Sequence, residues 1–321
     1  MRRQLCMIFA LTILMTACAT PGPTGSETTT TGSAPDTEPT TTVPVTTPTP
    51  DSTTTLPDTT TTSPASPDTT VSQVELNLAP WFFIDEPGHP IRTGPFLLPV
   101  QRTVPHTVAV ARESLEQLFA GPTASEISGI PAISTTIPEG VEVLGLTLGE
   151  GIAVVDLSSE FGGSDTSPVV AQRMAQVVFT LTSIPFVTEV LFRQDGKAIK
   201  AQTSDGQLVD RPVLKADYLD FAAALTVEQP VYGGGGANPL HVTGFGAVFE
   251  AAFNWVLTDD DGLIIAEGHE MTTLGTGWGG FDFFIEYEID SEQVGALIVY
   301  ANSAKDGSRI DIREYPVTLV P

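Results

Sequence analysis

From Ala19 to about Ser72 the chain has almost nothing to bury, being built of Thr, Pro, Ser, Asp and Gly, as in Thr40-Thr41-Thr42-Val43-Pro44-Val45-Thr46-Thr47-Pro48. Such a stretch cannot offset the entropy lost on folding, so it is expected to remain a disordered tether. Any core must therefore come from the residues beyond it. As a flexible coil the tether would span about 40 Å, and in polyproline II roughly 165 Å; its proline content places the reach between these limits. It reads as a spacer that carries a folded part into or through a cell wall, with or without sugars on its threonines.

Ahead of the tether, Met1-Arg2-Arg3 supplies positive charge and Leu5 to Leu14 an apolar run too short to span a bilayer as a helix. Residues 1–17 thus read as a removable signal. The stretch Leu14-Met15-Thr16-Ala17-Cys18 ends in small residues directly before a cysteine. It resembles a bacterial lipobox, with Met15 where leucine is commoner. That resemblance implies a thioether-linked diacylglyceryl group on Cys18 and an acylated new amino terminus. Each buried methylene contributes about 0.8 kcal/mol, so one chain holds marginally and two or more hold durably. The alternative is a plain secreted chain in which Cys18 is incidental. After cleavage Cys6 is gone, no intramolecular disulfide can form, and the folded part must rely on its apolar cores, for which a 41% apolar content provides the material.

The 39 acidic and 14 basic residues give a net charge of -25, which repels phosphate backbones and argues against nucleic acid as a partner. It also keeps the folded part off anionic lipid headgroups. Solubility is the simplest use of such a surface.

A first folded region is expected over 73–220. Val74 to Leu78 alternate, and Trp81-Phe82-Phe83-Ile84 continue a strand. Leu97 to Arg102 are expected to lead into a helix with Pro105 near its start and Val108, Ala111, Leu115, Leu118 and Phe119 on one face, stopped by Gly121-Pro122. A hairpin comes next: Leu144, Leu146 and Leu148 alternate, Gly149-Glu150-Gly151 turn, and Ala153, Val155 and Leu157 alternate again. Ser167-Pro168 open a second helix that buries Val170, Met174, Val177, Val178 and Leu181, and a strand from Val187 to Arg193 turns at Asp195-Gly196. The expected fold is α+β, in the order β-α-β-β-α-β with two helices on one side of a sheet.

These residues carry a resemblance. Leu98 to Arg102, the run Gly151-Ile152-Ala153-Val154-Val155-Asp156-Leu157-Ser158-Ser159-Glu160-Phe161, and Gln176 to Thr182 followed by Val190 and Asp195-Gly196 are similar to the GerMN, or Germane, domain of bacterial sporulation and spore germination proteins. The resemblance implies contacts with other proteins and supplies no catalytic residues, so Asp156, Glu160 and Gln176 gain no active-site role from it. Asp156 and Glu160 are expected to cap strand ends and loops.

Residues 221–321 read as all-β. Apolar segments recur at Leu240 to Phe245, Phe253 to Leu257, Leu263 to Ala266, Phe281 to Tyr287, Ala296 to Tyr300 and Ile310 to Val320, separated by turns such as Asp259-Asp260-Asp261-Gly262 and Lys305-Asp306-Gly307-Ser308. With Leu225 to Pro230 they predict about seven strands of a β-sandwich. Val242 to Gly244, Phe249 to Ala251, Gly277 to Phe281 and Lys305 to Ser308 resemble the immunoglobulin-like domain that accompanies GerMN in spore-germination-type proteins.

Candidate chemistry is sparse. His89, His106, His241 and His269 have no spacing that puts two on one helix face, so no metal or other cofactor is implied. No Gly-x-Ser-x-Gly elbow occurs. An EF-hand register through Asp259 to Asp261 would need Leu257 and Gly268 as ligands, so a solvated turn is expected there. Gly233 to Gly236 lack the following Lys-Ser/Thr of a phosphate loop and read as a flexible loop. Trp278, among glycines, could offer a platform to a wall sugar or fold back over the sandwich end. The chain thus reads as a non-enzymatic, extracytoplasmic lipoprotein, held to the outer face of the membrane and working by scaffolding or recognition of an envelope protein. The rival readings are binding of peptidoglycan or another carbohydrate, and a wall hydrolase, which would need an acidic pair in a deep cleft.

Overall fold

In the computed structural model of the protein, the described residues are 74–85, 94–163 and 167–321. The signal, Cys18, the tether and His89 lie outside them. Two apolar clusters organise what is described, one running from Trp81 to Ala223 and the other from Leu225 to Leu319.

The first cluster opens with strands β1 (Glu75–Leu78), β2 (Trp81–Ile84), β3 (Phe96–Pro99) and β4 (Arg102–Pro105), then helices α1 (Val110–Phe119) and α2 (Ala124–Ile127) and strand β5 (Ile133–Ser134). The hairpin is β6 (Val143–Gly149) and β7 (Ile152–Leu157), and it is followed by α3 (Pro168–Thr182) and β8 (Glu189–Gln194). Short strands β9 (Lys197–Ala198), β10 (Ala201–Gln202), β11 (Leu208–Val209) and β12 (Val213–Leu214) lead to a 3-10 helix, Lys215–Phe221.

The α+β class stands, but the topology is richer than one six-element sandwich. β12, β8, β7 and β6 form the main sheet in that order, with β9 on β8, whereas β2 pairs β3 and β5 in a second sheet. All four residues of β2 are buried, which one sheet face cannot explain. α3 lies between β2 and β8, and from Met174 to Leu181 every residue is buried. A helix covered on two sides needs apolar groups all round, and any polar group it buries needs a partner. Gln176 meets that demand: its Oε1 accepts from Thr135 Oγ1, Thr136 N and Thr136 Oγ1 at 3.0–3.1 Å, and its Nε2 donates to the Trp81 carbonyl at 3.0 Å.

The first helix starts later than expected. Leu97 and Leu98 pair with Phe83 and Phe82 in a strand, Pro105 ends β4, and Val108 is 95% exposed instead of buried. Cross-strand burial of Leu97 and Leu98 outweighs the local helix signal at Pro105. Ala111, Leu115 and Leu118 are buried as expected. In the hairpin Ala153, Val155 and Leu157 are fully buried, but Leu144 and Leu148 are half exposed because β6 is the outer strand of its sheet.

The second cluster is held by β13 (Leu225–Gln229), β14 (Leu240–Gly246), β15 (Ala252–Thr258), β16 (Ile264–Met271), β17 (Gly279–Ile285), β18 (Gln293–Asn302) and β19 (Arg309–Leu319). They form a three-stranded sheet, β13-β14-β17, and a four-stranded sheet, β16-β15-β18-β19, giving the β-sandwich-like region the strand count predicted. The glycine run between β13 and β14 is an ordered strap and not a flexible loop. Gly233 N donates to Pro316 O at 3.1 Å and Thr318 N to Gly234 O at 2.8 Å, and a Cβ on Gly235 would lie 2.6 Å from Thr318 O. The run is glycine-rich because two backbones meet there.

Candidate functional site

The two clusters are joined through one lysine. Leu214 and Asp217 open the 3-10 helix: Asp217 Oδ2 accepts from the Leu214 N–H at 2.9 Å and its carboxylate pairs with Arg211 at 2.7 Å. Hydrogen bonding from Arg211 holds the Asp217 carboxyl below its usual range against the opposing effect of burial. Tyr218 is buried, and desolvation pushes its phenol far up. This anchored turn aims Lys215 at the rings of Trp81, Phe179 and Phe245, whose centroids lie 5.4, 5.3 and 5.6 Å from Nζ. Glu228 of β13 pairs with the same ammonium. Trp81 and Phe179 meet edge-on at 4.8 Å, and Phe179 and Phe245 are 6.3 Å apart. Phe245 in turn meets Trp278 at 5.7 Å, so an aromatic row crosses from α3 to the outer side of the three-stranded sheet.

Backbone contacts reinforce this weld. Tyr232 N donates to Pro99 O at 2.9 Å and Gln101 N to Tyr232 O at 3.1 Å, so that Val100 and Tyr232 form a β-bridge. Arg313 of β19 lies 4.9 Å over Phe96. Beside the weld runs a groove of about 460 Å³, lined on one side by Leu78, Val110 and Ile184 and on the other by Glu228, Gln229 and Thr243, with Lys215 between. Its one carboxylate, Glu228, is engaged by Lys215. The groove therefore holds no acidic pair of the kind a hydrolase needs; it is lined by apolar groups such as Leu78, Val110 and Ile184 together with hydrogen-bonding ones such as Thr182, Ser183 and Gln229. That mixture suits binding.

Other residues singled out in the sequence serve local structure. Asp156 Oδ1 accepts from the Gly196 N–H at 3.0 Å, tying down the Asp195-Gly196 turn, both residues of which have positive φ. A hydrogen bond from Ser158 holds the Glu160 carboxyl below its usual range. Asp259 Oδ1 accepts from the N–H groups of Asp261 and Leu263, an Asx turn. Among the described residues no group of His, Cys, Asp and Glu is placed to hold a metal. Trp278 is half-buried, packed against Phe245 and the first cluster. Lys215, Phe245 and Glu228 were not legible as partners, since the contacts that define them join segments far apart in sequence.

The fold and the weld define a class: an α+β module joined through an aromatic junction to an immunoglobulin-like sandwich. Residues 80–200 match the Germane family, described as sporulation and spore germination, and residues 224–308 match Gmad2, the immunoglobulin-like domain of bacterial spore germination. The chain carries both domains, in that order, and is related to sporulation and spore germination proteins. Solved structures similar to it include the first GerMN domain of the sporulation protein GerM from Bacillus subtilis, at 15% identity over 43% of this chain and 98% of that one, TM-score 0.34. The tandem GerMN domains of the same protein match at 16% identity over 66% of this chain and 62% of that one, TM-score 0.34. A Clostridium perfringens protein described as a candidate lipoprotein matches at 16% identity over 47% of this chain and 93% of that one, TM-score 0.30. No curated protein matches the chain. The assignment rests on the two family matches.

Proposed function

We propose that the chain is a non-enzymatic recognition or scaffolding protein of the bacterial envelope. Residues 1–17 are its export signal, Cys18 carries its lipid, and residues 18–72 form the spacer. Residues 73–220 and 221–321 are the two modules, held on the outer face of the membrane. No helix among the described residues is long and apolar enough to cross a membrane. The support for a lipid attachment is the Leu14-Met15-Thr16-Ala17-Cys18 stretch.

The observation that carries this reading is the Lys215 weld. It commits the cation, the carboxylate and the aromatic faces of the junction to holding two modules together, and leaves beside them a groove furnished for binding. The test is fractionation and capture with the full chain. Cys18→Ser releases the protein from membranes, and the wild type captures a discrete envelope protein. A Cys18→Ser chain that stays in the membrane pellet contradicts the anchor. Retention on purified peptidoglycan that is lost in Trp278→Ala would replace protein recognition with wall binding.

A further inference from the structure

β6 ends its sheet, and its seven residues, Val143–Gly149, contain neither charge nor proline. An outer strand left in that state pairs readily with another chain. Its register fixes which groups are free. The turn Glu150-Gly151 makes Gly149 and Ile152 a hydrogen-bonded pair, and alternation along the ladder turns the N–H and C=O of Leu148 and Leu146 away from β7. Among the described residues no backbone group hydrogen-bonds to them on that side, and α1, which lies against β6, reaches the strand's start through Arg112. Leu144 and Leu148 add half-exposed apolar surface, at 50% and 49%. The start of the strand is closed: the register shifts between Val143 and Gly145, and Arg112 Nη1 donates to the Val143 carbonyl at 2.9 Å. The open run is Gly145–Gly149.

Charge decides what can dock. Glu142 precedes the strand and Glu150 follows it, both exposed, and Arg112 is engaged by Val143 and by Glu116 at 3.6 Å. A second copy pairing antiparallel over the open run, about Thr147, would set its Glu150 opposite Leu144 and within two residues of Glu142 at both ends, and like charges so placed destabilise a strand pair. We propose that the β6 edge is a strand-addition site for an extended segment of another protein, apolar at alternate positions and basic at both ends. The same two glutamates keep the edge from pairing with itself. This deepens the recognition reading by naming a partner class, and it rests on that reading for the claim that binding is the protein's work.

The probe is a labelled peptide, Lys-Thr-Val-Thr-Val-Thr-Val-Thr-Lys, titrated into the full-length chain with fluorescence anisotropy and amide hydrogen exchange as readouts. The peptide is expected to bind and to slow exchange at Leu146 and Leu148 by at least ~10-fold. Leu148→Pro removes a donor that the β6–β7 ladder does not use, and should abolish binding while the hairpin stays folded. Glu150→Lys, which leaves the backbone alone, should weaken the Lys-ended peptide and favour a Glu-ended one. It should also let the chain dimerise in sedimentation, since the introduced ammonium would then lie diagonal to Glu142 of the other copy. No binding up to millimolar peptide, equal binding by both variants, or a wild-type dimer formed through β6 would each overturn the proposal. Capture through the groove would be untouched by Leu148→Pro, so failure here is distinguishable from failure of the recognition reading.

Discussion

Replacing Lys215 by alanine tests whether the two modules are welded as the geometry indicates. The ammonium lies within 5.6 Å of three ring centroids and pairs with Glu228, and the two side chains are only 24% and 30% exposed. A partly desolvated cation over aromatic rings contributes about 1–2 kcal/mol, counted once because the rings share one charge. A partly exposed ion pair adds about 0.5 kcal/mol. Burial of the lysine stem adds a similar amount. The expected loss for Lys215→Ala is thus about 2–3 kcal/mol, or roughly 4–10 °C in Tm for a folded part of this size. Lys215→Met keeps the stem and should lose about 1.5–2.5 kcal/mol. Urea unfolding followed by tryptophan fluorescence is the assay, because Trp81 and Trp278 both sit in the aromatic row. A double-mutant cycle with Phe245→Leu should show coupling of about 0.5–1 kcal/mol. A Lys215→Ala chain within about 0.5 kcal/mol of wild type, or a cycle with no coupling, would refute the weld.

Gln176→Leu should be costlier than its volume suggests, by about 2–4 kcal/mol, because Thr135, Thr136 and the Trp81 carbonyl lose their shared partner inside the core; chemical denaturation reads it. Asp217 sets a pH dependence. Its folded pKa is depressed by Arg211, so its contribution is full above the ordinary aspartate range near pH 4 and is lost as pH falls through the lower folded value. Arg211 is half exposed, so the contribution stays below about 1 kcal/mol. Asp217→Asn should lower stability at pH 7 and flatten the acid limb of a stability–pH curve.

Much of the fold was legible where local rules decide. The apolar spacing of α3, the Gly149-Glu150-Gly151 and Asp195-Gly196 turns and the seven-strand rhythm after Leu225 each leave a short-range signature, and each is found in the structure. Sequence pattern failed where distant segments decide. Pro105 looks like a helix start, yet the pairing of Leu97 and Leu98 with β2 draws that stretch into strands. The four glycines read as slack, yet the neighbouring β19 backbone is what requires them. Lys215 carries no motif at all. Its role exists only once Trp81, Phe179, Phe245 and Glu228, widely separated along the chain, surround it. Trp278 stands among glycines in the sequence, and its ring packs against Phe245 at the end of that row.

The claim on which the rest depends is that the joined modules recognise another envelope component. In-cell photocrosslinking from Ser183, on the groove wall, and from Thr147, on the β6 edge, tests it most directly. A discrete adduct is expected from at least one of these positions, with loss of the Ser183 adduct in Lys215→Ala. A chain that is correctly exported and folded yet gives no adduct from either position would contradict it.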